Sequence, residues 1–90
     1  MRIIASNHFL KFKKKSPKKL QLEIDSQVKK LIEDPDIGEQ KKGNLKGIRV
    51  HKFTYGHQLL LLSYEVSKNV LWLYTIGSHE NFYKKLKKYL

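Results

Sequence analysis

Apolar residues recur along the chain at two periods, and the change from one to the other divides it. Leu20, Ile24, Val28 and Leu31 fall at i, i+4, i+8 and i+11, a single stripe that predicts an amphipathic helix from Pro17 to about Glu33. Upstream, Phe9 and Phe12 share one face of a shorter helix over His8–Lys15, with Ser6-Asn7 able to cap its start. Ser16-Pro17 separates the two, with Ser as N-cap and Pro at the first helical position. Asp34-Pro35 ends the second. Met1–Ala5, with Ile3 and Ile4, reads as a short strand.

After a polar loop, Asp36–Asn44, the period becomes two. In a strand over Leu45–Tyr55, Ile48 and Val50 point one way and Arg49 and His51 the other. Tyr55-Gly56-His57 is a turn. Gln58–Val66 follows, apolar on both faces as a central strand should be. Ser67-Lys68-Asn69 is a second turn, and Val70–Ile76 a third apolar strand that ends in a tight turn at Gly77-Ser78. A final helix over Glu80–Leu90 puts Phe82, Leu86 and Tyr89 along one side. The order β-α-α-β-β-β-α is an α+β fold: a small antiparallel sheet, a helical hairpin on one face and a C-terminal helix. The hairpin covers only one face. The face carrying Arg49, His51, Phe53 and Tyr55 is expected to stay more open, a partner surface.

Ninety residues make one domain, 1–90, which buries roughly 60–65% of its unfolded surface. With 40% apolar residues the chain is globular rather than disordered. It has no cysteine, which removes disulfides, thiolate zinc sites and cysteine nucleophiles and fits a reducing cytoplasm. Charge changes the picture most. Nineteen Lys+Arg stand against eight Asp+Glu, a net +11, and Glu33, Asp34, Asp36 and Glu39 sit close together. The rest of the surface is more basic still, which favours a polyanion or an acidic protein as partner. Lys11–Lys19 holds six lysines with Phe9 and Phe12 interleaved at its start, and Lys84, Lys85, Lys87 and Lys88 form a second run. Contacts from such runs, Lys13 and Lys14 among them, are sequence-blind and salt-sensitive.

The candidate chemistry lies in two pairs. Arg49 and His51, at i and i+2, project from one strand face. His79 and Tyr83, at i and i+4, share one face of a first helical turn. Convergence of the pairs at one end of the sheet would put an imidazole, able to move a proton near neutral pH, beside a guanidinium, able to stabilise a phosphorane-like charge. A tyrosine would be there to stack or donate a hydrogen bond. Such a set suits RNA cleavage without metal, in which the 2′-OH attacks the neighbouring phosphate. The four histidines lack the carboxylates and spacing of a zinc site. There is no phosphate-binding P-loop, dinucleotide fingerprint or nucleophile elbow, and no cofactor is expected.

The run Gly43–His51 (GNLKGIRVH) and the run Ile76–Tyr83 (IGSHENFY) resemble the RelE/ParE superfamily of type II toxin–antitoxin toxins, and the inferred element order agrees with that fold. The resemblance spans most of the chain; the amino-terminal helices match only in pattern. It implies an mRNA endoribonuclease that acts on the ribosome, contacts mRNA and rRNA, and is held inactive by an acidic, amphipathic antitoxin segment. Carried over residue by residue, Arg49 and His51 fill strand positions of the active site and His79 and Tyr83 the carboxy-terminal ones. Lys42, Lys46 and Lys52 would face RNA. The position after the turn, often Arg in the RelE branch, holds Gln58, which shifts charge stabilisation to Arg49 or a lysine. The ParE branch shares the fold, acts on DNA gyrase and lacks the catalytic cluster. A non-enzymatic gyrase-directed toxin and a non-toxic basic binding module are the competing readings.

Overall fold

The computed structural model describes residues 1–79, 82–84 and 86. Strand β1 (Arg2–Ala5) leads through Ser6 into helices α1 (Asn7–Lys15) and α2 (Lys18–Glu33). Ser6 caps α1: its hydroxyl accepts the Phe9 N–H at 3.1 Å. Ser16 and Pro17 divide the hairpin with roles one step from those expected. Ser16 is the C-cap of α1 and Pro17 the N-cap of α2. A two-residue strand β2 (Glu39–Gln40) follows, then a 3₁₀ turn over Gly43–Leu45, β3 (Arg49–Tyr55), β4 (Gln58–Ser67) and β5 (Val70–Ser78).

The sheet order is β1-β5-β4-β3-β2, so the doubly apolar β4 is central. The β3-β4-β5 meander is antiparallel as expected, with two-residue hairpin loops at Gly56-His57 and Lys68-Asn69. Lys68 and Asn69 both have positive φ, the pattern that matches strand twist. Two features correct the sequence reading. First, β1 pairs parallel to β5, Ile3 against Leu71, because the chain leaves β1 through the hairpin and returns to its side only at the last strand. Second, β2 lies inside the expected loop and pairs with Arg49 and Val50. The strand expected from Leu45 begins only at Arg49, since Gly43–Leu45 coils and Gly47 takes φ +89°.

Each sheet face has its own core. Phe9, Leu20, Ile24 and Leu31 of the hairpin bury against Phe53, Leu60, Leu62, Tyr64, Leu71, Leu73 and Ile76. On the other face Ile48, Val50 and Leu61 pack on Phe82 and Leu86, which are helical. Tyr83 and Lys84 are helical too; residues 80, 81, 85 and 87–90 of the expected C-terminal helix, with Lys85, Lys87, Lys88 and Tyr89 among them, lie outside the described residues. A bulge on β5 links the two cores. Ser63 pairs with Thr75 but Tyr64 with Leu73, leaving Tyr74 as the extra residue. Beyond it the facing of side chains reverses, so Leu73 and Ile76 share the hairpin core while Thr75 turns to the other face. Ser63 fills the broken ladder: its hydroxyl meets Thr75 Oγ1 at 2.6 Å and accepts the Thr75 N–H at 3.0 Å. β5 also runs through Gly77 to Ser78, where a tight turn was expected.

Candidate functional site

Face parity decides which predicted residues meet. Arg49, His51 and Phe53 pair across the ladder with Tyr64, Leu62 and Leu60, all of the hairpin core. The hairpin therefore covers the Arg49/His51 face, the reverse of the open face expected. The reason is burial. Phe53 and Tyr55 share that face and are the larger apolar group, so they, rather than Ile48 and Val50, draw in the α2 stripe.

Arg49 is engaged in the fold. Its Nη1 donates to the Gly38 carbonyl at 2.8 Å and the Asp36 carbonyl at 3.3 Å, and Nη2 lies 3.3 Å from Asp36 Oδ1. Tyr64 holds the same loop from beneath, donating to Pro35 O at 2.5 Å and accepting the Gly38 N–H at 3.0 Å. A Cβ at Gly38 would lie 2.6 Å from Tyr64 Oη, so only glycine allows this approach. Burial raises the Tyr64 pKa, keeping the phenol a donor. Thus Arg49 and Tyr64 fix the segment that delivers β2.

His51 is tied to α2. Its Nε2 lies 2.7 Å from Gln27 Oε1, and because an amide oxygen only accepts, Nε2 carries the hydrogen. The buried Gln27 spends its amide N–H on Glu23 at 2.9 Å. His51 stacks on Phe53 at 6.0 Å. Burial, with Lys30 adding to it, pushes its pKa below the ordinary value, which favours the neutral ring at pH 7.

Tyr83 belongs to the opposite face. It packs against the Ile48/Val50/Leu61 core, edge-on to Phe82 at 5.1 Å. Glu39 pairs with Val50, so Glu39 and Lys41 point to this same side. Lys41 Nζ sits 5.2 Å from the Tyr83 ring centroid and 3.3 Å from Glu39 Oε1. The Tyr83 phenol, then Glu39, holds its pKa up against a desolvation that lowers it. Beside this pair an open cavity of about 290 Å³ is lined by Gln40, Lys41, Lys42, Gly43 and Lys46. Lys52, exposed and opposite Leu61, faces the same side. Lys41 was missed because its segment read as a loop; the alternation of Glu39 and Lys41 about Gln40 was the available signal.

His79 is exposed and directly follows β5. The two pairs therefore do not converge: the sheet separates Arg49 and His51 from Tyr83. Gln58 is exposed at the start of β4, opposite Tyr55, on the hairpin side. Lys13 forms an ion pair with Asp25 across the helical hairpin, while Lys14 is exposed. Among the described residues no cluster of His, Asp or Glu could hold a metal ion, and no helix is long and apolar enough to cross a membrane.

The fold and sequence have recognisable relatives. The family model of the ParE-like toxin of type II bacterial toxin–antitoxin systems matches residues 3–87. Among curated proteins none matches by sequence. The toxin–antitoxin complex RelBE of E. coli, in its intact form, contains a chain similar in fold, with TM-score 0.71, 17% identity, and coverage of 88% of this chain and 96% of that one. The isolated E. coli RelE toxin superposes with TM-score 0.67 and 18% identity over 99% of this chain and 98% of that one.

Proposed function

The chain belongs to the ParE-like toxins of type II bacterial toxin–antitoxin systems, and from that premise we propose that it is an RNA-cleaving toxin that acts on ribosome-bound mRNA. The observation that carries this reading is the cationic side of β2 and β3, where Lys41, Lys42 and Lys46 line one open cavity beside Tyr83. Such a surface fits a phosphodiester backbone with an aromatic ring for a base. In this reading the ribose 2′-OH attacks the adjacent phosphorus and the P–O5′ bond breaks, leaving a 2′,3′-cyclic phosphate. His79 takes the 2′-OH proton, and the departing 5′-oxygen is protonated from the open, solvent-filled side. Lys52, opposite Leu61 and so on the part of the sheet nearest Gly77 and His79, offsets the phosphorane charge, the task that Gln58 cannot perform, and Lys42 and Lys46 hold the flanking backbone. Tyr83 orients the nucleotide. Arg49 and His51, held on the hairpin side, are positioning residues: Arg49 anchors the loop that presents Lys41 and Lys42. A site this open needs the ribosome to align the 2′-OH for in-line attack. The antitoxin is an acidic, amphipathic segment drawn to the same charge.

Induction of the chain without antitoxin, followed by primer extension on cellular mRNA, tests the proposal. Growth arrest with discrete cuts is expected, and His79→Ala and Tyr83→Ala should each lower cutting at least tenfold in a folded protein. Full cutting by both variants would overturn the assignment. A second reading, inhibition of gyrase without RNA cleavage, is favoured by one observation: Arg49 and His51 are engaged in the fold, which depletes the expected catalytic set. Inhibited supercoiling with intact mRNA would establish it.

A further inference from the structure

Each of four glycines has a reason in the fold. Gly43, Gly47 and Gly56 take positive φ, and Gly38 lies against Tyr64. Gly77 has neither reason. It sits inside a strand with ordinary φ, and a Cβ there would meet no atom within 4 Å. A glycine within a strand costs stability, and often marks where a ligand comes close to the backbone.

Gly77 lines a cavity. Its other walls are His8 and Phe12 of α1, Thr75, Ile76 and Ser78 of β5, and Phe82, and its volume is about 110 Å³. It opens at the outer edge of β5, because the β1 pairing stops at Ala5 against Leu73. A cavity of about 150 Å³ is known to admit benzene; at about 110 Å³ this one takes a planar ring part-way, edge first, through its open side. The walls are mixed, two phenylalanine rings and the His8 imidazole with hydroxyl and backbone groups. The Ser78 hydroxyl makes no hydrogen bond to a described residue. An aliphatic anchor would offer the Ser78 hydroxyl no partner, whereas a nucleobase has a hydrogen-bonding edge for it and faces for the phenylalanines. Outside, a groove of about 250 Å³ is formed by His8, Lys11, Phe12 and Lys15. Lys11 and Lys15 lie one helical turn apart and are exposed, a place for the phosphate joined to that base. His79 begins one residue beyond the Ser78 wall.

We propose that the Gly77 cavity is a nucleobase-binding subsite, which takes one base of a single-stranded RNA while Lys11 and Lys15 hold its phosphate. The subsite deepens the RNA-directed reading and rests on it. It places one nucleotide next to His79 and adds Phe12, Gly77 and Ser78 as residues that bind the base.

The test is an amide-resolved NMR titration of the full chain with each of the four nucleoside 5′-monophosphates, with ribose 5-phosphate as control. At least one nucleotide should shift the Ile76, Gly77 and Ser78 amides saturably, and ribose 5-phosphate should not. Gly77→Leu, which fills open space without backbone strain, should raise Kd at least tenfold, and the milder Ser78→Ala should raise it a few-fold. No shift with any nucleotide, or equal shifts with ribose 5-phosphate, would overturn the proposal. So would an acidic antitoxin peptide that shifts these amides where nucleotides do not, since the cavity would then be a protein anchor. Because the titration reads binding and not cutting, saturable binding by a chain that cuts no mRNA would sink the RNase reading alone.

Discussion

The two sides of β3 handle charge in opposite ways. On the hairpin side, Arg49 and His51 each have partners within the fold, carbonyls and a carboxylate for one and the Gln27 amide for the other. On the opposite side Lys42, Lys46 and Lys52 are exposed, and among these described lysines Lys41 alone is engaged, between Tyr83 and Glu39. Residues one position apart on a strand thus serve different ends. Where a cover exists, polar groups must be paired as they are buried. Where the cover falls short, as it does at Lys42, Lys46 and Lys52 beside the Phe82/Leu86 core, cations stay available to a ligand. A residue type suited to catalysis is therefore evidence of function only where the fold leaves it exposed and unpaired.

This contrast can be broken by experiment. The largest effect is expected at Gly38→Ala, whose Cβ would press on Tyr64 Oη at 2.6 Å and disturb the loop anchored by Arg49. A loss of about 1–3 kcal/mol in urea unfolding is expected; an unchanged midpoint would show that the loop is not held as described. Next comes a paired comparison. Arg49→Met, which strips two carbonyls of a charged donor, should cost about 1–2 kcal/mol. Lys42→Ala and Lys46→Ala should stay within about 0.5 kcal/mol, yet each should weaken association with single-stranded RNA and flatten its salt dependence. Equal stability losses on both sides would erase the distinction. The smallest effect belongs to His51. Folding lowers its pKa below the ordinary 6.5, so in that interval the unfolded chain binds more protons. Its contribution is complete above about 6.5 and is lost as pH falls through that value toward the folded pKa. His51→Phe should flatten the stability profile below about pH 6.5, measured by urea midpoints. A His51→Phe profile that falls as steeply as the parent's would assign the pH dependence elsewhere.

Much of the architecture was legible in the chain. The Leu20–Leu31 stripe, the two short turns and the doubly apolar Gln58–Val66 run each name an element through local spacing. The parallel docking of β1 was not legible, because nothing within Arg2–Ala5 states which later strand it meets. Lys41 was hidden because a two-residue strand has too few positions to show alternation. Of the candidate site, the residue types at Arg49, His51, His79 and Tyr83 were legible, but that the sheet separates Arg49 and His51 from Tyr83 was not.

Element types, their order and the excess of positive charge follow from local propensity and composition, which act over a few residues or over the chain as a sum. Sidedness does not. Strand alternation divides Arg49 and His51 from Val50, but it cannot say which set the hairpin covers; that follows from which face buries more apolar surface once all strands are paired. The bulge at Tyr74 shows the same limit. One extra residue reverses the facing of everything after it, so the side on which Gly77 opens, and with it the cavity beside His79, was decided only when β5 paired with β4.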